Sequence, residues 1–295
     1  MVRDFETVRR SLLRKVGWQI DKSSYPFISG DTYKALCDFE MRPDFTLSLE
    51  KIGFHRLQNE HVVFVSAQFA EDFHDWLTKN ENLHFSNWHL ILHNWDDIPS
   101  VKKFKYFSSR FQSVGANHWH GDLYIAKPLP IGLENWDLQR NGIPRDFTKK
   151  QKCGLRDFES RPIEVLCSFS INTNVLDRAV AWDFCQKLDK AYLMPSFTTP
   201  RKYRALVEQS KFVISPPGNG ADCHRTWEAL YLGAVPVVLK SSWGFSHWDL
   251  PVIVVDEWGD AKTAMLDFKH RKPITVETLQ HMFLDRDFLT KKFPQ

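Results

Sequence analysis

Long apolar runs are missing from this chain. No stretch of about 18 apolar residues occurs, so nothing reads as a membrane-spanning helix. The N-terminus also lacks the apolar core of a signal peptide. Cysteine is scarce: Cys37, Cys153, Cys167, Cys185 and Cys223 are scattered and odd in number, with no C-x-x-C pair. That pattern argues against a disulfide framework or a structural zinc and points to a reducing compartment. Neither sign of charge is in excess. A net charge of +3, from 39 Lys and Arg against 36 Asp and Glu, leaves no strong footprint for nucleic acid. No internal repeat beyond two α/β halves is visible, and nothing is low-complexity.

Aromatic residues are plentiful, with 11 Trp and 23 Phe among 295 residues. Flat aromatic faces suit sugar stacking, but most of these belong to a core. An apolar content of 43% beside 25% charged residues describes a globular protein able to bury one large core or two ordinary ones.

The chain is organised around Phe212-Val213-Ile214-Ser215-Pro216-Pro217-Gly218-Asn219-Gly220-Ala221-Asp222-Cys223-His224-Arg225 and the residues up to Leu239. A short β-branched and aromatic run is stopped by two prolines. Gly218-Asn219-Gly220 then allows positive φ and a close approach to a ligand. Asp222 is the expected N-cap of a helix whose apolar residues Trp227, Leu230 and Tyr231 fall at i, i+3 and i+4. Gly233 ends that helix, and 234–239 is an apolar strand. Strand, loop, helix and strand make a right-handed βαβ unit. Its loop presents N–H groups at a helix N-terminus, where phosphates bind in open α/β sheets. His224 and Arg225 in the first helical turn oppose the dipole unless an anion lies between them. Glu228, one turn after His224, is placed to accept hydrogen bonds from sugar or ribose hydroxyls.

The segment SPPGNGADCHRTWEALYLGAVPVV resembles the donor-binding segment of exostosin-like glycosyltransferases. The likeness is dense over about 25 residues and fainter along much of the chain. It implies a GT-B fold, with two Rossmann-like α/β domains facing each other across a cleft. The C-terminal domain would hold the diphosphate of a nucleotide-sugar donor at this loop and helix. In the N-terminal half, three stretches are similar to the same family: Ser29-Gly30-Asp31, His93-Asn94-Trp95-Asp96, and Leu129 to Asn135 (LPIGLEN). Trp95 stands where the family carries a small residue.

Taken in order, residues 1–20 form a basic amphipathic helix. One face packs on a core, or it lies on an anionic membrane, as would suit a lipid-linked acceptor. Phe27-Ile28 is a short strand leading to a helix near Thr32, with Asp31 either capping that helix or facing the cleft. Residues 61–66 and 88–93 are strands, and the second ends on polar residues at the carboxyl edge of a sheet. Residues 101–117 read as helical stretches. His118 and His120 would share a strand face but lack a third ligand, so a surface turn is expected. Residues 139–162 lack periodicity and read as a linker between an N-terminal acceptor-side domain, 1–145, and a C-terminal donor-binding domain, 160–295. Residues 163–169 are a strand, followed by a polar loop in which Asn172 and Asn174 are donor-binding or capping candidates. Residues 274–292 form a last amphipathic helix, which the resemblance places back on the N-terminal domain.

The expected activity is sugar transfer from a nucleotide-diphosphate donor to a hydroxyl of a glycan or lipid-linked glycan, independent of metal or other cofactor. Gly218, Asn219, Gly220, Asn172, His224, Arg225 and Glu228 are the donor-site candidates. Asp31 and Asp96 are the candidate bases for an inverting reaction. Another group transferase on the same fold, moving for example a pyruvyl group, is the alternative enzyme. A carbohydrate- or nucleotide-binding module without a base is the non-enzymatic one. The cysteines favour a cytoplasmic setting, peripheral to a membrane if 1–20 binds one. A catalytic domain cut from a longer, membrane-anchored protein of the Golgi lumen would read the same way.

Overall fold

Most strands of this chain are near-continuous apolar runs, and because successive side chains point to opposite faces, each run supplies both faces of its sheet. The computed structural model describes residues 24–52, 58–97, 100–135, 144–194, 198–269 and 272–291. The expected helix over 1–20 lies outside them. Two five-stranded sheets, each wholly parallel, carry the fold.

The first sheet runs in chain order: β1 (Phe39–Met41), β2 (His61–Ser66), β3 (Phe85–His93), β4 (Phe111–Asn117) and β5 (Lys127–Leu129). A first helix, α1 (Gly30–Leu36), precedes it, and α2 (Phe45–Ile52), α3 (Ala70–Lys79) and α4 (Val101–Arg110) make the crossovers. Because each crossover has the same hand, these three helices share one face. Their Phe45, Leu49, Phe73, Leu77, Phe104 and Phe107 pack with Val63, Val65, Leu90 and Leu92. The alternate residues Val62, Phe64 and Ile91 face the opposite way, into a core continuous with the second half of the chain.

The second sheet contains β6 (Ile163–Ser168), β7 (Ala191–Met194), β8 (Ser210–Ile214), β9 (Val235–Leu239) and β10 (Ile253–Val255). Its spatial order is β10-β9-β8-β6-β7, so the winding reverses at β6. Between the two sheets the chain forms α5 (Pro144–Cys153). The second sheet's helices are α6 (Val175–Gln186), α7 (Pro200–Gln209), α8 (His224–Tyr231) and α9 (Ala261–Leu266), and the chain ends in α10 (Val276–Phe283) and α11 (Arg286–Thr290). Helices cover both faces: α7 and α8 meet Leu166 and Val213 on one, and α6 and α9 meet Cys167, Phe212 and Ile214 on the other.

The last two helices return to the first sheet. Buried Lys127 on β5 donates from Nζ to the carbonyls of Phe288, Leu289 and Lys291 at 2.6, 2.6 and 3.1 Å. Arg286 pairs with Asp38 at 3.2 Å. A cation on the last carbonyls of a helix satisfies groups that have no partner within it.

Several sequence expectations need correction. Phe27-Ile28 is not a strand but part of the turn before α1, and both side chains are core. The N-cap of α1 is Ser29, whose hydroxyl accepts from Thr32 N, so Asp31 does not cap it. Residues 101–117 divide into α4 and the strand β4, which supplies Val114 and Ala116 to the core. The stretch read as a linker contains α5, anchored by buried Phe147 against Phe27 and Tyr231. One apolar residue on a helix of Lys and Arg leaves almost no periodic signal. The final helix is broken at Leu284-Asp285 into α10 and α11. The β8-loop-α8-β9 unit is parallel as expected, and Gly233 takes φ of 73° after α8.

Candidate functional site

Reversal of winding opens a crevice between the loops that follow β6 and β8, the usual ligand position in an open parallel sheet. A cavity of about 390 Å³ lies there. Ser168, Phe169, Ser170 and Thr173 come from the β6 exit, Arg178 from α6, and Gly218, Asn219 and Gly220 from the β8 exit. Asp222, Cys223, His224, Arg225 and Glu228 come from the start of α8, and Thr198 and Tyr203 from the α7 region. The N-terminal half adds Asp96, Ile131 and Glu134. The cavity therefore has walls from both sheets.

Two guanidinium groups define one wall. Arg178 is buried on α6, with Nε donating to Pro217 O at 2.8 Å and Nη1 to Ser170 O at 2.9 Å. It ties the glycine loop to the β6 exit loop. Arg225 donates from Nε to Ser168 O at 2.9 Å and lies over the Phe169 ring, 5.7 Å from its centroid. Arg225 Nη1 is buried and has no hydrogen-bond partner among the described residues. Burial first, and then the neighbouring Arg225 charge, lowers the Arg178 pKa. Two like charges beside an unpaired N–H donor suit an anion.

The glycine loop does less through its own amides than its sequence suggests. Gly218 N–H donates to Gly220 O at 3.0 Å, within the loop. Neither Gly218 nor Gly220 has positive φ. Glycine is required there for space: a Cβ at 218 would lie 2.7 Å from Arg178 Nη2, and one at 220 would lie 2.2 Å from His118 Cε1.

Asp222 is not the N-cap of α8; Cys223 holds that place without a side-chain bond. Its buried carboxylate instead joins the two halves of the chain. Oδ2 accepts from Ile131 N–H at 2.8 Å, and the Trp227 indole N–H donates to Oδ1 and Oδ2 at 3.0 and 2.8 Å. Burial raises the Asp222 pKa to about 7 against the lowering effect of these bonds. Asp222 N–H donates to His118 Nδ1 at 3.1 Å. His118 is thus no surface turn residue. It is buried, with φ of 59°, its pKa is lowered to about 4 chiefly by burial, and its Nε2 has no partner among the described residues. His120, by contrast, is exposed.

His224 donates from Nδ1 to Gly132 O at 2.8 Å. Burial lowers its pKa below the ordinary 6.5, so it is neutral at pH 7 and is not the second cation of the helix start. Asn219 donates its amide to Asp96 Oδ2 at 2.9 Å, placing that carboxylate against the glycine loop. Glu228 is buried at the cavity, and burial raises its pKa to about 7 although Arg225 pulls it down. Nearby, the buried Tyr203 hydroxyl has no hydrogen-bond partner among the described residues.

Of the expected site residues, Gly218, Asn219, Gly220, His224, Arg225, Glu228 and Asp96 are brought together at the cavity. Two are not. Asp31 sits in the first turn of α1, its backbone N–H donating to Asn135 Oδ1 at 3.0 Å, outside the cavity lining. Asn172 is exposed and also outside it, while Asn174 caps α6 and donates to Gly218 O at 3.1 Å. Arg178, Tyr203, Asp222 and His118 are the residues that sequence reasoning missed or misplaced. Arg178 left one trace: it is the lone cation in an otherwise apolar and acidic helix directly after a capping Asn. The Asp-x-Asp triplet Asp285-Arg286-Asp287 opens α11 and lies outside the cavity lining. No group of three or more metal-ligating side chains occurs among the described residues, and no helix among them is long and apolar enough to cross a membrane. No protein-family model and no curated protein matches the chain.

Proposed function

We propose that the protein is a glycosyltransferase of the GT-B type, related to the exostosin-like enzymes, which moves a sugar from a nucleotide-diphosphate donor to a hydroxyl of a glycan or lipid-linked glycan. The single observation that carries this reading is the unpaired, buried Nη1 of Arg225 beside Arg178, at the switch point of a parallel sheet. The donor diphosphate lies against these guanidiniums. As the sugar C1–O bond to the β-phosphate breaks, charge grows on the departing phosphate oxygen, and the fixed cations stabilise it without reorganisation. With both cations in that place, the reaction is read as independent of metal. Asp96, on the facing wall, takes the proton of the acceptor hydroxyl as its oxygen bonds to C1. Glu228 and Tyr203 hold donor hydroxyls, and Glu228 does so as a carboxyl near its titration point.

A thermal-shift and product-release panel tests this. UDP, GDP, CMP and their sugars are added to the full chain. One nucleoside diphosphate should raise the melting temperature, since ligand at 100 times its Kd adds about 2.7 kcal/mol of stability. With a glycan acceptor added, the matching nucleotide sugar should be converted to nucleoside diphosphate plus glycosylated acceptor in the presence of EDTA. A panel in which no nucleotide shifts the transition removes the reading.

A further inference from the structure

Tryptophan is buried or half-buried at every described position in this chain but one. Trp95 is 46% exposed. Among the described residues its ring meets no other ring, and its Nε1 makes no hydrogen bond. Exposed apolar residues are ordinary on protein surfaces, and Leu176 and Val180, one turn apart on α6, and Leu266 on α9 are such residues. Trp95 differs from them in chemistry, in support and in place.

Its backbone is held firmly. Asn94 takes a left-handed φ of 69°, and its N–H donates to His93 Nδ1 at 2.8 Å. Buried His93 is fixed in turn by its contact with Pro130 O at 3.1 Å. Trp95 O accepts from Asn117 Nδ2 at 2.8 Å. The exits of β3 and β4 are thereby joined at the Trp95 backbone, so the residue is carried on a fixed support rather than on a free loop. The next residue is Asp96, which lines the cavity and accepts from Asn219 of the glycine loop at 2.9 Å. Successive Cα atoms are about 3.8 Å apart, so Trp95 is carried immediately beside the residue that forms the carboxylate wall of the cavity.

We propose that Trp95 is a stacking platform for a pyranose ring of the acceptor, so that the hydroxyl presented to Asp96 belongs to a carbohydrate. This rests on the transferase reading above. A pyranose has an apolar face of C–H groups and an equatorial rim of hydroxyls. The negative π-face of an indole takes the first, and a neighbouring carboxylate takes a proton from the second. A lipid alcohol or a serine side chain offers no such flat face. Trp95 lies outside the cavity lining, so the platform serves the acceptor and leaves donor contacts untouched.

The test uses ¹⁵N-labelled full-length chain, with the Trp95 indole N–H assigned by its loss in Trp95→Phe. Xylotriose, cellotriose and chitotriose are titrated separately, with hexanol as the non-sugar control. The expected result is that one trisaccharide moves the Trp95 resonance and hexanol does not. Trp95→Ala should then weaken that trisaccharide about tenfold or more and raise its KM without changing nucleoside diphosphate affinity, and Trp95→Tyr should recover most of the loss. If all three sugars leave the resonance in place, or Trp95→Ala binds them as wild type does, the platform is overturned. A shifted resonance in a protein that binds no nucleotide keeps the platform and removes the transferase. Nucleotide binding with an unmoved resonance does the reverse.

Discussion

Replacing Arg225 with methionine separates binding from folding, because the two effects have different sizes. Methionine keeps much of the length and packing of the arginine stem over Phe169. In the unliganded protein, Arg225→Met loses the Nε donation to Ser168 O, a charged hydrogen bond worth about 1.5–3 kcal/mol. It also removes a buried N–H with no partner, which costs about 1–3 kcal/mol where it stands, and a charge that disfavours Arg178. These contributions oppose each other, so unfolding free energy should change by no more than about 1 kcal/mol. Nothing offsets the loss when a diphosphate is bound. A charge-assisted contact of about 1.5–3 kcal/mol disappears, weakening nucleoside diphosphate binding roughly 10- to 150-fold. Calorimetric titration gives the affinity, and urea unfolding of the same preparation gives the stability. A variant destabilised by more than about 2 kcal/mol that still binds nucleotide like wild type would show Arg225 to be a structural pin, and the anion site would fall with it.

Three further outcomes are expected. In Glu228→Gln, the folded-state pKa near 7 lies above the unfolded value near 4.5, so the contribution of Glu228 is present at low pH and lost as pH rises through 7. The variant should therefore gain stability relative to wild type, by on the order of 1 kcal/mol, between pH 5 and pH 8; an unchanged stability difference between the two proteins at both pH values would refute this. Gly220→Ala drives a Cβ into His118 and should weaken nucleotide binding, whereas His118→Ala in the same chain should relieve it, giving a non-additive double-mutant cycle by calorimetry. Lys127→Met leaves two carbonyls of the last helix and that of its C-cap Lys291 without their donor and should cost roughly 1–3 kcal/mol, with faster proteolysis after residue 284; an unchanged urea midpoint would contradict it.

What was legible in the sequence was whatever depends on neighbours in the chain. The β8-loop-α8-β9 unit could be read because β-branched runs, prolines and a periodic helix are local signals. The same holds for β2 and β3, whose apolar runs are long. β1, β5 and β7 are three or four residues each, too short for alternation to register, and α5 has a single buried side chain. At the site, Arg225 and Glu228 followed from helix position, and Asp96 from the end of a strand. Asp222 did not, because the partners that bury it, Ile131 and His118, are 91 and 104 residues away. A good capping residue and a buried bridging carboxylate are the same letter in the sequence. His118 was misjudged for the same reason: its neighbours His120 and Gly121 look like a turn, and its burial comes from the other half of the chain.

That long-range contact decides how the cavity can be reached. Five hydrogen bonds of 2.8 to 3.1 Å link the two halves around the glycine loop and α8: Asn219 to Asp96, Asp222 to His118, Ile131 to Asp222, His224 to Gly132, and Ile28 to the Tyr231 hydroxyl. Water would replace these if the halves separated, so they set register more than they resist opening. The resistance comes from the core beneath them. Phe27, Ile28 and Leu133 from the first half share one buried cluster with Trp227, Leu230 and Tyr231 from the second. Each such side chain contributes about 1.5–3 kcal/mol by staying out of water, so exposing even these six would cost roughly 10 kcal/mol, comparable to the whole stability of a domain. A wide hinge opening is therefore as improbable as unfolding, and ligands must enter through the mouth of the cleft. The Arg178–Arg225 wall and the Asp96 wall are then held at fixed separation before any ligand arrives, the condition under which fixed charges would stabilise a developing one most effectively.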